Sequence, residues 1–158
     1  MTLTVPNAND TTRADLEHAT YLALQILAVR LHDDTEELFK GEGLSVTQFN
    51  VLRILRGAGD QPLTCGDIAQ RLLNKDPDVT RLLDRLDKQG LVDRSRTEQD
   101  RRVLLTRLSL QGRALVDRFD APLAELHRQQ FEHLPSERLH QLLALFQEVS
   151  GPDSTPAP

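Results

Sequence analysis

Between Ala14 and Phe39 apolar side chains recur with helical period along two stripes, Leu16, Ala19, Ala23 and Ile26 on one and Leu24, Leu27, Leu31 and Leu38 on the other. That pattern predicts one long helix needing cover on two sides. Gly41 to Gly43 is a natural stop. Ser45 and Gln48 then stand at capping-box spacing ahead of Phe49, Leu52 and Leu55, predicting a second helix over about 45–57. Leu63 and Thr64 leave room only for a small strand. Thr64 and Asp67 repeat the capping-box spacing and open a short third helix with Ile68, Ala69 and Leu72 on its apolar face. After a turn at Asn74 to Asp76, Pro77 suits the first position of a fourth helix, which buries Val79, Leu82, Leu83 and Leu86 and stops at Gly90.

Leu91–Arg96 and Val103–Leu108 read as antiparallel strands around the polar loop TEQDRR. Ser109 caps a fifth helix carrying Leu115, Phe119, Leu123 and Leu126, with a bend or interruption expected near Pro122. Pro135 and Ser136 open a sixth, with Leu139, Leu142, Leu143, Phe146 and Val149 apolar. Two short helices joined by a tight turn and followed by a hairpin make a winged helix. The fold expected is mainly α, a winged helix-turn-helix in the order α-α-β-α-α-β-wing-β-α-α, with a helical dimerisation region from both termini. One domain is expected over 13–150, with a lobe at 45–108 and dimerisation helices at 13–40 and 110–150. Residues 1–12 and 151–158 read as disordered ends, being polar or rich in Gly, Pro, Ser and Thr. The terminal helices carry more apolar surface than one small domain covers, which predicts an intersubunit core.

Composition narrows the functions. The lack of tryptophan and the 4% aromatic content speak against a large aromatic ligand cage. A single cysteine, Cys65, excludes an internal disulfide or a multi-cysteine zinc site. The five histidines, His18, His32, His127, His133 and His140, show no metal-ligand spacing. No glycine-rich phosphate loop, nucleophile elbow or paired catalytic carboxylate is recognisable, so no enzymatic activity and no metal are expected. No apolar run approaches the roughly 18 residues of a membrane span, and the N-terminus lacks signal-peptide character, so a cytoplasmic location without membrane contact is expected.

Net charge is -5, which by itself counts against nucleic acid. Its distribution matters more. From Arg71 to Arg107 ten basic residues face seven acidic ones, and VDRSRTEQDRRVLLTRLS places five arginines around the polar turn. The N-terminal half of the fourth helix is the part expected to enter a major groove, where Thr80 and Arg81 meet base edges or phosphates. Asp76 and Asp78 are open to two readings, helix-start carboxylates or acceptors from cytosine N4. Alternation along the strand places Val92, Arg94 and Arg96 on one face, with the two guanidinium groups toward the phosphate backbone. Arg85 is expected in a structural ion pair, with Asp100 as its candidate partner, and Arg107 in a structural role. Cys65 is expected to be buried or inert.

DVTRLLDRLDKQGLVDR, Asp78 to Arg94, resembles the recognition helix and first wing strand of the MarR family of bacterial transcription regulators; DRRVLLTRLSLQG, Asp100 to Gly112, resembles its wing motif. LSVTQFNVLRIL matches more loosely, and the resemblance covers roughly 20–150. It implies a homodimer with interlocking first, fifth and sixth helices whose two lobes read pseudo-palindromic double-stranded DNA. It also implies that Arg102 is the minor-groove arginine and Asp100 its orienting carboxylate, with Arg101 open to a phosphate contact. Members often bind a small aromatic or phenolic effector, for which this sequence has no fixing motif and no other cofactor is expected. The function expected is a sequence-specific, ligand-responsive repressor. The alternatives are a winged-helix protein-interaction module without DNA binding and, third, a sensor acting through another protein.

Overall fold

Two phenylalanines near each other in sequence and a third far along the chain meet in the core of the computed structural model, which describes residues 12–72, 78–96 and 102–151. The elements are α1 (Arg13–Phe39), a 3-10 turn at Lys40–Glu42, α2 (Val46–Gly57), β1 (Leu63–Thr64), α3 (Cys65–Arg71), α4 (Val79–Lys88), β2 (Val92–Arg96), β3 (Leu104–Leu108), α5 (Leu110–Phe131) and α6 (Ser136–Ser150). Phe39 from the end of α1 stacks on Phe49 of α2 at 4.1 Å between ring centroids. Phe119 of α5 stands edge-on to them at 5.2 and 5.8 Å. Edge-to-face packing suits the ring quadrupole and locks three helices at one point.

Local chemistry starts the helices where expected. Ser45 and Gln48 cap α2 reciprocally, and Thr64 and Asp67 do the same for α3. Thr12 and Asp15 form a third capping box at α1. The α4 start differs from expectation: Asp78 is the cap, accepting from the Arg81 backbone N-H, and the helix begins at Val79. Pro77, the expected first helical residue, lies outside the described residues together with the turn at Asn74 to Asp76. The interruption expected in α5 is not present, and the helix runs unbroken through Pro122. The expected disordered ends fall almost wholly outside the described residues.

The antiparallel sheet has the order β1-β3-β2. Register pairs Val92 with Leu108, Arg94 with Thr106 and Arg96 with Leu104, while β1 pairs Leu63 with Thr106. The hairpin is fastened to α5 at its base. Ser109 Oγ donates to the Gly90 carbonyl at 2.7 Å and accepts from the Gly112 N-H at 2.9 Å. A Cβ on Gly112 would sit 2.0 Å from the Leu91 carbonyl oxygen, so only glycine permits this approach of helix to strand.

The buried core belongs to the lobe: Leu52, Leu55, Leu63, Ile68, Leu83, Leu86, Val92 and Val116 are 2% exposed or less. The first half of α5 lies within it, through Leu115, Val116 and Phe119. That divides α5, all of which was expected in the dimerisation region. By contrast α1 buries only Phe39 and α6 buries nothing. Leu16, Tyr21, Leu22, Ile26 and Val29 on α1 and Leu143, Leu145 and Val149 on α6 are exposed. No described helix is long and apolar enough to cross a membrane.

Candidate nucleic-acid interface

Val79, Leu83 and Leu86 recur at helical spacing and are buried, fixing α4 against the lobe. The same period turns Thr80, Arg81, Asp84, Arg85 and Lys88 outward. Asp78 accepts from the Arg81 backbone at 3.2 Å through Oδ1, and its Oδ2 lies 3.1 Å from Arg81 Nε. One carboxylate therefore caps the helix and steers a guanidinium whose side chain is 80% exposed. Of the two readings of Asp78, the helix-start carboxylate is the one displayed; Asp76 lies outside the described residues. Thr80 Oγ1 is 3.7 Å from Cys65 Sγ at the start of α3, where Cys65 is half-buried.

The wing departs from expectation at Arg94. Its side chain is only 11% exposed and is ion-paired through Nη1 with Asp84 of α4. Alternation correctly groups Val92, Arg94 and Arg96, but buried Val92 marks that face as the one turned toward the lobe. Arg94 thus fastens β2 to α4 instead of reaching for a phosphate backbone. Its Nε and the buried Thr106 Oγ1, on residues opposite each other in the register, have no hydrogen-bond partner among the described residues. The apolar Val92 at the head of this face was the signal in the sequence.

Arg96, at the outer end of β2, and Arg102, at the edge of the loop, are exposed. Asp100 and Arg101 lie outside the described residues, so the Asp100 contacts expected for Arg85 and Arg102 are not described. Arg85 is exposed and forms no ion pair with a described residue. Arg107 is exposed on β3, opposite Asp93 in the register. Among the described residues no group of three His, Cys, Asp or Glu side chains is placed to hold a metal ion.

An unforeseen contact joins the lobe to α5. Arg56 Nη1 donates to Asp117 at 3.0 Å and to Asp120 at 2.8 Å, while Nη2 donates to the second Asp120 oxygen at 2.9 Å. Hydrogen bonding from Arg56 holds the Asp120 carboxyl below its ordinary range, and the same bond raises Arg56. Next to it Arg118 pairs with Glu42 of the 3-10 turn. These partners are too far apart in sequence for spacing to reveal them.

A sequence profile described as the MarR family matches residues 42–103. The chain is 30% identical over 99 residues to the HTH-type transcriptional repressor YetL of Bacillus subtilis, covering 63% of this chain and 59% of that protein. It is 31% identical over 111 residues to the homoprotocatechuate degradative operon repressor of Escherichia coli, covering 70% and 74%. The crystal structure of a MarR transcription factor from Planctomyces limnophilus superposes with a TM-score of 0.67 at 35% identity, over 87% of this chain and 97% of that one. The DNA complex of S. aureus MepR shares the fold at a TM-score of 0.72 and 24% identity, over 82% and 94%.

Proposed function

The chain belongs to the MarR family of transcription regulators, and from that membership we propose that it is a homodimeric, ligand-responsive repressor that binds double-stranded DNA sequence-specifically. The observation that carries this reading is the arrangement of α4 and the wing. The outward face of α4 presents Thr80 and a steered Arg81, and the Arg94–Asp84 ion pair couples that helix to the hairpin bearing Arg96 and Arg102. A helix for the major groove and a basic wing for the flanking backbone or minor groove are then positioned together. That S. aureus MepR, which shares this fold, forms a DNA complex supports DNA as the partner.

In this reading Thr80 and Arg81 meet base edges, Arg96 a phosphate, and Arg102 the minor groove, with Asp100 orienting it and Arg101 adding a backbone contact. Asp78 acts through Arg81. Arginine suits the base-reading role because its planar fork donates to guanine O6 and N7 together. The exposed apolar faces of α1 and α6 supply the dimer core, giving two lobes and a pseudo-palindromic site. An aromatic or phenolic effector bound between dimer helices and lobe regulates DNA affinity through its preference for one lobe spacing.

Footprinting on DNA flanking the gene tests this reading, with protection of two half-sites about one helical turn apart expected. Arg102→Ala should cost roughly 1 to 3 kcal/mol, most at A/T-rich flanks. Equal loss on every sequence would make Arg102 a phosphate contact only. A footprint unchanged by every aromatic acid tested would remove the effector.

A further inference from the structure

We infer that Arg56, forked onto Asp117 and Asp120, is a positioning residue that makes the lobe and the first half of α5 one rigid body and so sets the spacing between the two DNA half-sites. The inference rests on the DNA-binding dimer proposed above. Four consecutive α5 residues are engaged. Asp117 and Asp120 hold Arg56 at the end of α2, Arg118 holds Glu42, and Phe119 packs against Phe39 and Phe49. An ionic fork on one side and an aromatic wedge on another resist both rotation of α5 about its axis and sliding along it.

Below the clasp the helix changes character. Pro122 has no N-H to offer the Arg118 carbonyl, and beyond Phe119 α5 has no buried residue. The first half of α5 is therefore built into the lobe, while the distal half is held more lightly, through half-buried Leu123 and the Gln130–Asp34 bond at 3.2 Å to α1. Bending between them concentrates just past the clasp, and its direction is transmitted to α4 and the wing because they belong to the stiff body. A bidentate guanidinium suits this task better than an ammonium, since it fixes an angle as well as a distance.

Arg56→Met and Arg56→Lys test the inference, with Asp120→Asn as a milder variant should either fail to fold. Binding is measured on duplexes whose half-sites are native, or moved apart or together by one base pair. The wild type should favour native spacing, and the Arg56 variants should lose roughly five-fold or more of that preference, with affinity for a single half-site unchanged. Independently of DNA, spin labels at positions 70 and 129 in a Cys65→Ser background, diluted in unlabelled protein, report lobe against distal α5 within one protomer. The width of that distance distribution should roughly double in Arg56→Met. An unchanged spacing preference or an unchanged width would overturn the inference. Wild-type protein that binds no duplex would instead refute the DNA-binding reading, with the spin-label width still deciding the clasp.

Discussion

Arg94 and Asp84 join the first wing strand to the outward face of α4, through a guanidinium almost withdrawn from solvent and a carboxylate that is half exposed. The two ends of this pair are not equivalent. Removing Asp84 leaves a buried cation alone, whereas removing Arg94 leaves an exposed anion in water. Asp84→Ala should therefore lower unfolding free energy by about 1 to 3 kcal/mol and more than Arg94→Met does. Denaturant melts of both variants measure the difference; equal losses would show that the burial of Arg94 carries no penalty.

Gly112 packs against the wing backbone with no room for a methyl group. Gly112→Ala should destabilise by about 1 to 3 kcal/mol or more, because the first obstacle is a carbonyl oxygen and not a flexible side chain. Gly41→Ala, where a Cβ meets nothing within 4 Å, is the control and should change stability little. Urea midpoints at constant slope give both values.

These residues separate what was legible in the sequence from what was not. Capping boxes at Ser45 and Thr64, the stop at Gly90 and the Ser109 cap are short-range chemistry, so spacing was enough to find them. The motif ending at Gly112 was visible as a resemblance, but its steric reason needed the approach of α5 to Leu91. Alternation placed Arg94 with Val92, whose apolar side chain was the one sign in the sequence that the shared face points inward. Pro122 was expected to bend or interrupt α5, and it does not interrupt it. It costs one hydrogen bond locally, while Phe119 packing on one side and the Gln130–Asp34 bond at 3.2 Å on the other hold the helix in place. The Arg56 fork spans more than sixty residues, beyond any periodic signal.

Thr106 is fully buried, and its hydroxyl has no hydrogen-bond partner among the described residues. Thr106→Val keeps the shape and removes the unmet polar group, so it should be neutral or stabilise by up to about 1 kcal/mol. A thermal melt checks this. Clear destabilisation would show that the hydroxyl is hydrogen-bonded in solution.

Asp120 is held below the ordinary aspartate value of 3.8 by Arg56. A carboxyl lowered on folding contributes stability that is full above its unfolded value and is lost as pH falls through the lower folded one. Thermal stability should therefore decline below about pH 4 in part through this contact, and Asp120→Asn should flatten that part of the profile. A variant profile parallel to the wild type would remove Asp120 from the acid response.

Duplex binding as a function of salt is the most direct test of the central claim that an acidic chain uses one basic face to hold DNA. With about six phosphates neutralised per dimer, the logarithm of affinity should fall against the logarithm of salt with a slope near -5. Failure to bind any duplex even at low salt would contradict the account and favour a winged helix that meets protein instead.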